Sequence, residues 1–160
     1  MSKKIFITGA TGFLGSSLVK KFLTMGYDIH ALIRKNSDKS RLINLPNINY
    51  IENREDYIKN FFKKNKIDIL IHTACNYGRG DENHKEVLNT NINLGVQLID
   101  LCDKFNVPLF INTHSTLPRD LNIYSSKLLQ VYCLFRSLKV YQDFFLKYNL
   151  LNFQFQDQFQ

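Results

Sequence analysis

Three glycines at positions 9, 12 and 15 lie in the run Thr8-Gly9-Ala10-Thr11-Gly12-Phe13-Leu14-Gly15, between an apolar strand-like stretch and a helix-like one. The strand is expected over residues 4–8 and the helix over 13–25, with Gly26 just past its end as a stop. That order restricts the chain to an α/β arrangement and reads as a dinucleotide phosphate site. Gly9 allows the tight turn off the strand, Gly12 lets a pyrophosphate approach the backbone, and Gly15 lets the helix pack close to the sheet. The amides and dipole of the helix N-terminus favour an anion there, and Thr11, Phe13 and Leu14 complete the expected cofactor-binding loop.

Apolar runs and helix-like runs alternate along the rest of the chain, the pattern of a parallel sheet covered by helices. Strands are expected near residues 4–8, 28–33, 48–51, 67–73 and 107–112, and helices over 13–25, 54–65, 83–104 and 124–147. Right-handed crossovers then give a three-layer Rossmann fold with strand order 3-2-1-4-5 and helices on both faces. Residues 1–148 form the dinucleotide-binding domain in this reading. Residues 149–160 alternate apolar and polar side chains, which fits either a sixth parallel strand or an irregular tail.

With 160 residues, 44% of them hydrophobic and 13% aromatic, the chain supports one packed domain. No apolar run approaches the roughly 20 residues that span a bilayer, and Lys3-Lys4 leads directly into the first strand, so neither membrane insertion nor a signal peptide is expected. Cys75, Cys102 and Cys133 have no metal-ligand spacing; they read as reduced thiols in a cytoplasmic protein without a metal site. The net charge of +7 does not map onto a nucleic-acid-reading motif, and Lys59, Lys63, Lys64 and Lys66 read as the solvated side of a helix. A modest positive field also suits an anionic nucleotide substrate.

The second strand ends Ala31-Leu32-Ile33-Arg34-Lys35, where an NAD-selective site usually offers an acid to the ribose hydroxyls. Arg34, with Lys35 or Ser37, would instead receive the 2′-phosphate of NADP, or it is a plain surface arginine after a strand. NADP is therefore favoured over NAD.

The glycine spacing has one more residue between the first two glycines than the common fingerprint. With its flanking residues it closely resembles the extended short-chain dehydrogenase/reductase family, in its epimerase/dehydratase branch. The stretch Asp68-Ile69-Leu70-Ile71-His72-Thr73-Ala74 resembles that family's fourth strand, which implies that Ala74 lies against the cofactor ribose. His72 reads as a satisfied core histidine rather than a catalyst. The segment Cys75-Asn76-Tyr77-Gly78-Arg79 resembles a loop of the reductases and epimerases of nucleotide-linked deoxysugars, abequose synthase among them. There Tyr77 and Arg79 either face substrate or form a plain surface loop. Asn91 matches a family asparagine that ties its helix to the neighbouring strand.

The resemblance also implies the catalytic set. The family's catalytic Ser or Thr falls on Thr113, with Ser115 as runner-up, to hold the substrate oxygen while a proton moves. His114 stands where dehydratases commonly carry an aspartate, so reduction or epimerisation gains over dehydration. The family pair Tyr-x-x-x-Lys is represented by Tyr124-Ser125-Ser126-Lys127, one residue short. On a helix that turns the lysine by about 100° and draws it back by about 1.5 Å. In the family the tyrosine exchanges the proton, and the lysine lowers its pKa and holds the ribose.

The implied function is NAD(P)-dependent oxidoreduction, epimerisation or dehydration of a nucleotide sugar for surface polysaccharide synthesis. A homodimer through the helices at 83–104 and 124–147 is implied as well. The alternative is a truncated, inactive cofactor-binding module, since the family's substrate domain is expected to be absent; the short Tyr124/Lys127 pair and the early stop point to a frameshift or deletion near Ser125, or a fragmentary reading frame.

Overall fold

The computed structural model describes residues 2–77, 83–114 and 153–154. Six strands, β1 (Lys4–Thr8), β2 (Asp28–Ile33), β3 (Ile48–Glu52), β4 (Ile69–His72), β5 (Leu109–His114) and β6 (Phe153–Gln154), make one sheet in the order β3-β2-β1-β4-β5-β6. Every adjacent pair is parallel. The expected order 3-2-1-4-5 is present, and the two-residue β6 extends it beyond β5. Residues 149–152 and 155–160 lie outside the described residues.

The sheet is covered by α1 (Phe13–Thr24), α2 (Glu55–Lys64), α3 (His84–Leu88) and α4 (Leu94–Lys104). The central strand β1 reads Lys-Ile-Phe-Ile-Thr and is buried on both faces from Ile5 onward, so its apolar run is continuous. Successive side chains still separate into two cores. Phe6, Leu70 and Phe110 join Ile58 and Phe62 of α2 and Leu98, Leu101 and Cys102 of α4 on one face. Ile5, Ile7, Ile29, Ala31 and Ile71 join Val19 of α1 and Leu42 on the other. Two cores separated by one sheet are the three layers expected from the sequence.

Local chemistry sets the element ends. Gly26, at φ +78°, stops α1 after Met25, and a side chain there would be strained. Acidic Glu55 and Asp56 open α2 and Lys63 and Lys64 close it, both in the sense that the helix dipole favours. Asn83 caps α3 by accepting the Glu86 N–H at 3.0 Å.

Three sequence expectations shift. β4 is shorter than 67–73, because the Asp68 carboxylate accepts the Lys4 N–H (2.8 Å) and the Thr73 hydroxyl donates to the Thr8 carbonyl (2.7 Å), side-chain bonds at either end of the ladder. β5 runs on to His114, because β6 pairs with Thr113 and His114. The helix expected over 83–104 is interrupted by a π-helical turn at Asn89–Asn93, whose extra residue per turn accompanies the inward placement of Asn91. The helix expected over 124–147 lies outside the described residues.

Candidate dinucleotide site at the carboxyl edge of the sheet

Sequence neighbours part between β1 and β4: the chain leaves β1 towards β2 on one side, and the later strands fill the other. The carboxyl ends of these strands form the crevice in which open α/β sheets take ligands. Both the glycine loop and the loop after β4 open there.

Gly9 follows β1 at φ +66°, a conformation that suits glycine. A Cβ on Gly9 would come within 2.6 Å of the Thr73 hydroxyl and 2.7 Å of the Ala74 nitrogen, so the β1 loop and the β4 loop touch through backbone. The Gly12 N–H returns to the Gly9 carbonyl at 2.9 Å and closes the turn. Gly12 itself has an ordinary backbone (φ −73°, ψ 174°), and a Cβ there would meet only the Gly9 carbonyl oxygen at 3.2 Å. Its outer side is open. Its dihedral angles do not call for glycine, and its open side leaves room for a group to approach the backbone closely.

Gly15 differs from its sequence reading. A Cβ at Gly15 would strike the Gly9 carbonyl and lie 2.7 Å from its carbon and 2.9 Å from Ala10 Cα. The close approach is therefore between α1 and its own loop. The sheet benefits indirectly, because that loop is the end of β1.

Helix α1 begins at Phe13, which leaves the N–H groups of Phe13, Leu14 and Gly15 without intrahelical acceptors, while Ser16 N–H reaches the Gly12 carbonyl at 2.9 Å. No acidic residue lies in this first turn to compete with an anion. Thr11 and Leu14 are half-buried, and Phe13 is exposed beside Gly12. The expected loop residues are thus brought together, and a loop that a Cβ would fill at Gly9 and Gly15, open at Gly12 under a helix N-terminus, fits a dinucleotide pyrophosphate.

Ala74 is half-buried in the adjoining loop, with its N–H donated to the Thr8 hydroxyl at 3.2 Å. Thr8 and His72 are paired in register, and Thr8 Oγ1 lies 2.7 Å from His72 Nδ1, so His72 is a satisfied core histidine as its sequence context suggests. Thr113 donates its hydroxyl to the His72 carbonyl at 3.3 Å, which places it at the same edge, one strand away. Asn91 accepts the Asn76 N–H and donates to the Asn76 carbonyl, both at 2.7 Å, tying the π turn to the loop after β4.

Arg34 follows β2 in a turn closed by two bonds: its N–H donates to the Ser37 hydroxyl (2.9 Å) and Ser37 N–H donates to its carbonyl (3.0 Å). Its guanidinium end is exposed, next to Lys35, and no acid occupies the strand end. Arg79, Ser115, Tyr124 and Lys127 lie outside the described residues, as does Cys133. Thr8 and Thr73 escape a motif reading although they join the two loops; the available signal is that hydroxyl side chains end β1 and follow β4 at matching register.

The model of the NAD dependent epimerase/dehydratase family matches residues 5–128. CDP-abequose synthase of Salmonella muenchen is 31% identical over 115 residues, covering 72% of this chain and 38% of that protein. A putative dihydroflavonol 4-reductase of Synechocystis is 30% identical over 102 residues, 64% of this chain and 29% of that protein. The chain thus spans well under half the length of these curated relatives. Among solved structures, the Bordetella bronchiseptica enzyme WbmH in complex with NAD+ superposes with a TM-score of 0.76 at 18% identity, over 96% of this chain and 56% of that one. The UDP-Glc/GlcNAc 4-epimerase of Campylobacter jejuni does so at 0.75 and 18%, over 96% of this chain and 53% of that one. Those two likenesses concern the fold. The family match covers most of the chain and includes the glycine loop, β4 and Thr113; this chain belongs to the NAD dependent epimerase/dehydratase family.

Proposed function

We propose that the domain formed by residues 1–148 binds a nicotinamide dinucleotide across the β1/β4 crevice and serves oxidoreduction or epimerisation of a nucleotide-linked sugar. The observation that carries this is the open side of Gly12 under the N-terminus of α1, beside the Gly9 contact with Thr73 and Ala74. The relatives named CDP-abequose synthase and UDP-glucose 4-epimerase support a nucleotide-sugar substrate; the role read from this is 4-keto-sugar reduction or epimerisation in surface polysaccharide synthesis.

In this reading the dinucleotide, when bound, supplies hydride exchange with a sugar carbon. Gly9, Thr11, Gly12, Phe13, Leu14 and Gly15 hold the pyrophosphate, and Ala74 lies beside the ribose. Thr113 orients the substrate oxygen, Tyr124 exchanges the proton there, and Lys127 supports Tyr124. Arg34 favours NADP over NAD by pairing with the 2′-phosphate. A cytoplasmic, homodimeric protein is the setting expected for this chemistry.

A second reading is a nucleotide-binding module without turnover, which the Tyr124/Lys127 spacing of three favours, since an error of about 1 Å in a catalytic group can cost on the order of 100-fold in rate. Titrating NADP+ and NAD+ into the purified chain, then supplying NADPH or NADH with CDP- or dTDP-linked 4-keto sugars and following loss of the reduced-nicotinamide absorbance, with chromatography of the nucleotide sugars to detect epimerisation, separates them. Turnover supports the enzyme; binding without turnover supports the module; binding of neither nucleotide refutes both. Arg34→Ala is expected to weaken NADP+ by about 10-fold and leave NAD+ within about 2-fold. An equal loss for both would refute the 2′-phosphate role.

A further inference from the structure

Thr8 is 1% exposed and stands at the end of β1, in register with His72, itself 4% exposed, at the end of β4. Its hydroxyl oxygen has two neighbours among the described residues: it accepts the Ala74 N–H at 3.2 Å, and His72 Nδ1 lies 2.7 Å away. A buried hydroxyl must also place its own hydrogen. Since the Ala74 amide is a donor, the acceptor for that hydrogen is His72 Nδ1. This assigns the imidazole as neutral, with its proton on Nε2.

The direction of these bonds has a structural consequence. With its hydrogen held by the imidazole, the Thr8 oxygen directs a lone pair at Ala74, and the Thr73 hydroxyl donates to the Thr8 carbonyl at 2.7 Å. The same two residues, Thr73 and Ala74, are those that leave no room for a Cβ on Gly9. His72 also accepts the Thr113 hydroxyl on its carbonyl at 3.3 Å. One buried residue thereby links the glycine loop after β1, the loop after β4 and the hydroxyl on β5.

We infer that His72 is a positioning residue for dinucleotide binding, acting as the fixed proton acceptor that orients Thr8 and so holds the Ala74 loop against Gly9. The inference rests on the reading of the glycine loop as a dinucleotide site. His72 touches neither nucleotide nor substrate in this role; its effect passes through Thr8.

Conservative and disruptive variants of the full chain test it, with NAD+ and NADP+ as probes in calorimetric titrations. His72→Asn retains an acceptor near the Nδ1 position, and Thr8→Ser retains the hydroxyl; both are expected to bind within about 3-fold of the parent. His72→Leu and Thr8→Val remove the bond and are expected to lose about 5- to 10-fold each. The double variant Thr8→Val/His72→Leu should bind no worse than either single one, because both remove the same link. Equal losses in His72→Asn and His72→Leu, or additive losses in the double variant, would overturn the inference in favour of bulk packing.

A second measurement needs no nucleotide and covers variants that fail to fold. Nitrogen-15 shifts of the parent chain should show His72 protonated on Nε2, with slow hydrogen exchange at the Ala74 amide. Protonation on Nδ1 would reverse the bond and refute His72 as the proton acceptor, and a rapidly exchanging Ala74 amide would refute the hold on the Ala74 loop. A parent chain that binds neither nucleotide would refute the dinucleotide reading and with it the positioning role, while the shifts still decide the direction of the Thr8–His72 bond.

Discussion

Alanine at Gly12 and alanine at Gly15 are expected to fail in different ways, and the difference can be worked out from the loop. At Gly12 the backbone (φ −73°, ψ 174°) is open to any residue, and the added Cβ would meet one atom, the Gly9 carbonyl oxygen, at 3.2 Å. Alanine restricts the unfolded chain, a gain of about 0.4–1 kcal/mol. Against that, alanine is a poorer N-cap than glycine by roughly 0.5–1 kcal/mol, and the tight approach costs a few tenths more. The terms nearly cancel, so Gly12→Ala should lose at most about 1 kcal/mol. At Gly15 the Cβ would meet the Gly9 carbonyl group and Ala10 Cα, the latter at 2.9 Å, and these are backbone atoms. They can yield only if α1 moves away from the end of β1, and overpacking of this kind costs about 1–3 kcal/mol.

Urea unfolding followed by far-UV circular dichroism supplies the stability half of the assay, and calorimetric titration with NAD+ and NADP+ the binding half. For Gly12→Ala the midpoint should fall by no more than about 0.5 M, given a slope near 2 kcal/mol/M for small proteins. Nucleotide affinity should fall by about 10-fold or more, because the methyl group occupies the side from which the phosphate approaches. Gly15→Ala should show the larger fall in midpoint. A Gly12→Ala chain that binds as tightly as the parent would refute the reasoning, as would a Gly15→Ala chain with an unchanged midpoint.

Other expectations follow from single contacts. Asn91→Ala removes both bonds to the Asn76 backbone and should cost about 2–4 kcal/mol by urea unfolding, with Asn91→Asp no milder because it sets a buried carboxylate oxygen against the Asn76 carbonyl; a loss below about 0.5 kcal/mol would refute the tie. Burial holds the His30 imidazole below its ordinary pKa of 6.5, against the opposing pull of Asp28, whose carboxylate oxygen lies 3.1 Å from Nε2. The unfolded chain therefore takes up a proton that the fold resists, so stability should decline as pH falls below about 6.5, and His30→Gln should flatten that decline. Identical pH profiles for the two chains would refute this. Burial pushes the Cys102 thiol up to about 12, so iodoacetamide at pH 8 should alkylate exposed Cys75 and leave Cys102 unmodified, as peptide mass spectrometry would show; labelling of both at the same rate would refute the packing.

The three layers and the β3-β2-β1-β4-β5 order were legible because they depend on period and order along the chain. Continuous apolar runs identify buried parallel strands, and the glycine loop places the first βα unit without reference to anything distant. What was not legible depends on pairs far apart in sequence. Asn91 was recognised as a tie from the family pattern, but its partner is the backbone of Asn76, and a backbone group leaves no trace in side-chain pattern. The π turn that accompanies this tie was hidden for the same reason, since Val87, Leu94 and Leu98 keep a helical spacing across it. The end of β5 was misplaced because its length is set by pairing with residues 153 and 154, about forty positions later.

Thr8 and His72 carry this reasoning furthest. Each alone invites a bland reading, a threonine ending a strand and a histidine in the core, and their separation of 64 residues conceals the bond. Once strand order is known, register becomes informative: β1 beside β4 with Ile5 opposite Ile69 requires Thr8 to stand opposite His72. A buried hydroxyl opposite a buried imidazole then has few ways to satisfy both groups, and the Ala74 amide removes all but one direction for the hydroxyl proton. In the proposed reading the glycine motif marks where a phosphate approaches, and this polar pair sets the distance between its loop and the loop after β4. A related chain with the same three glycines and an apolar residue at either paired position should therefore keep the fold and hold the nucleotide less tightly.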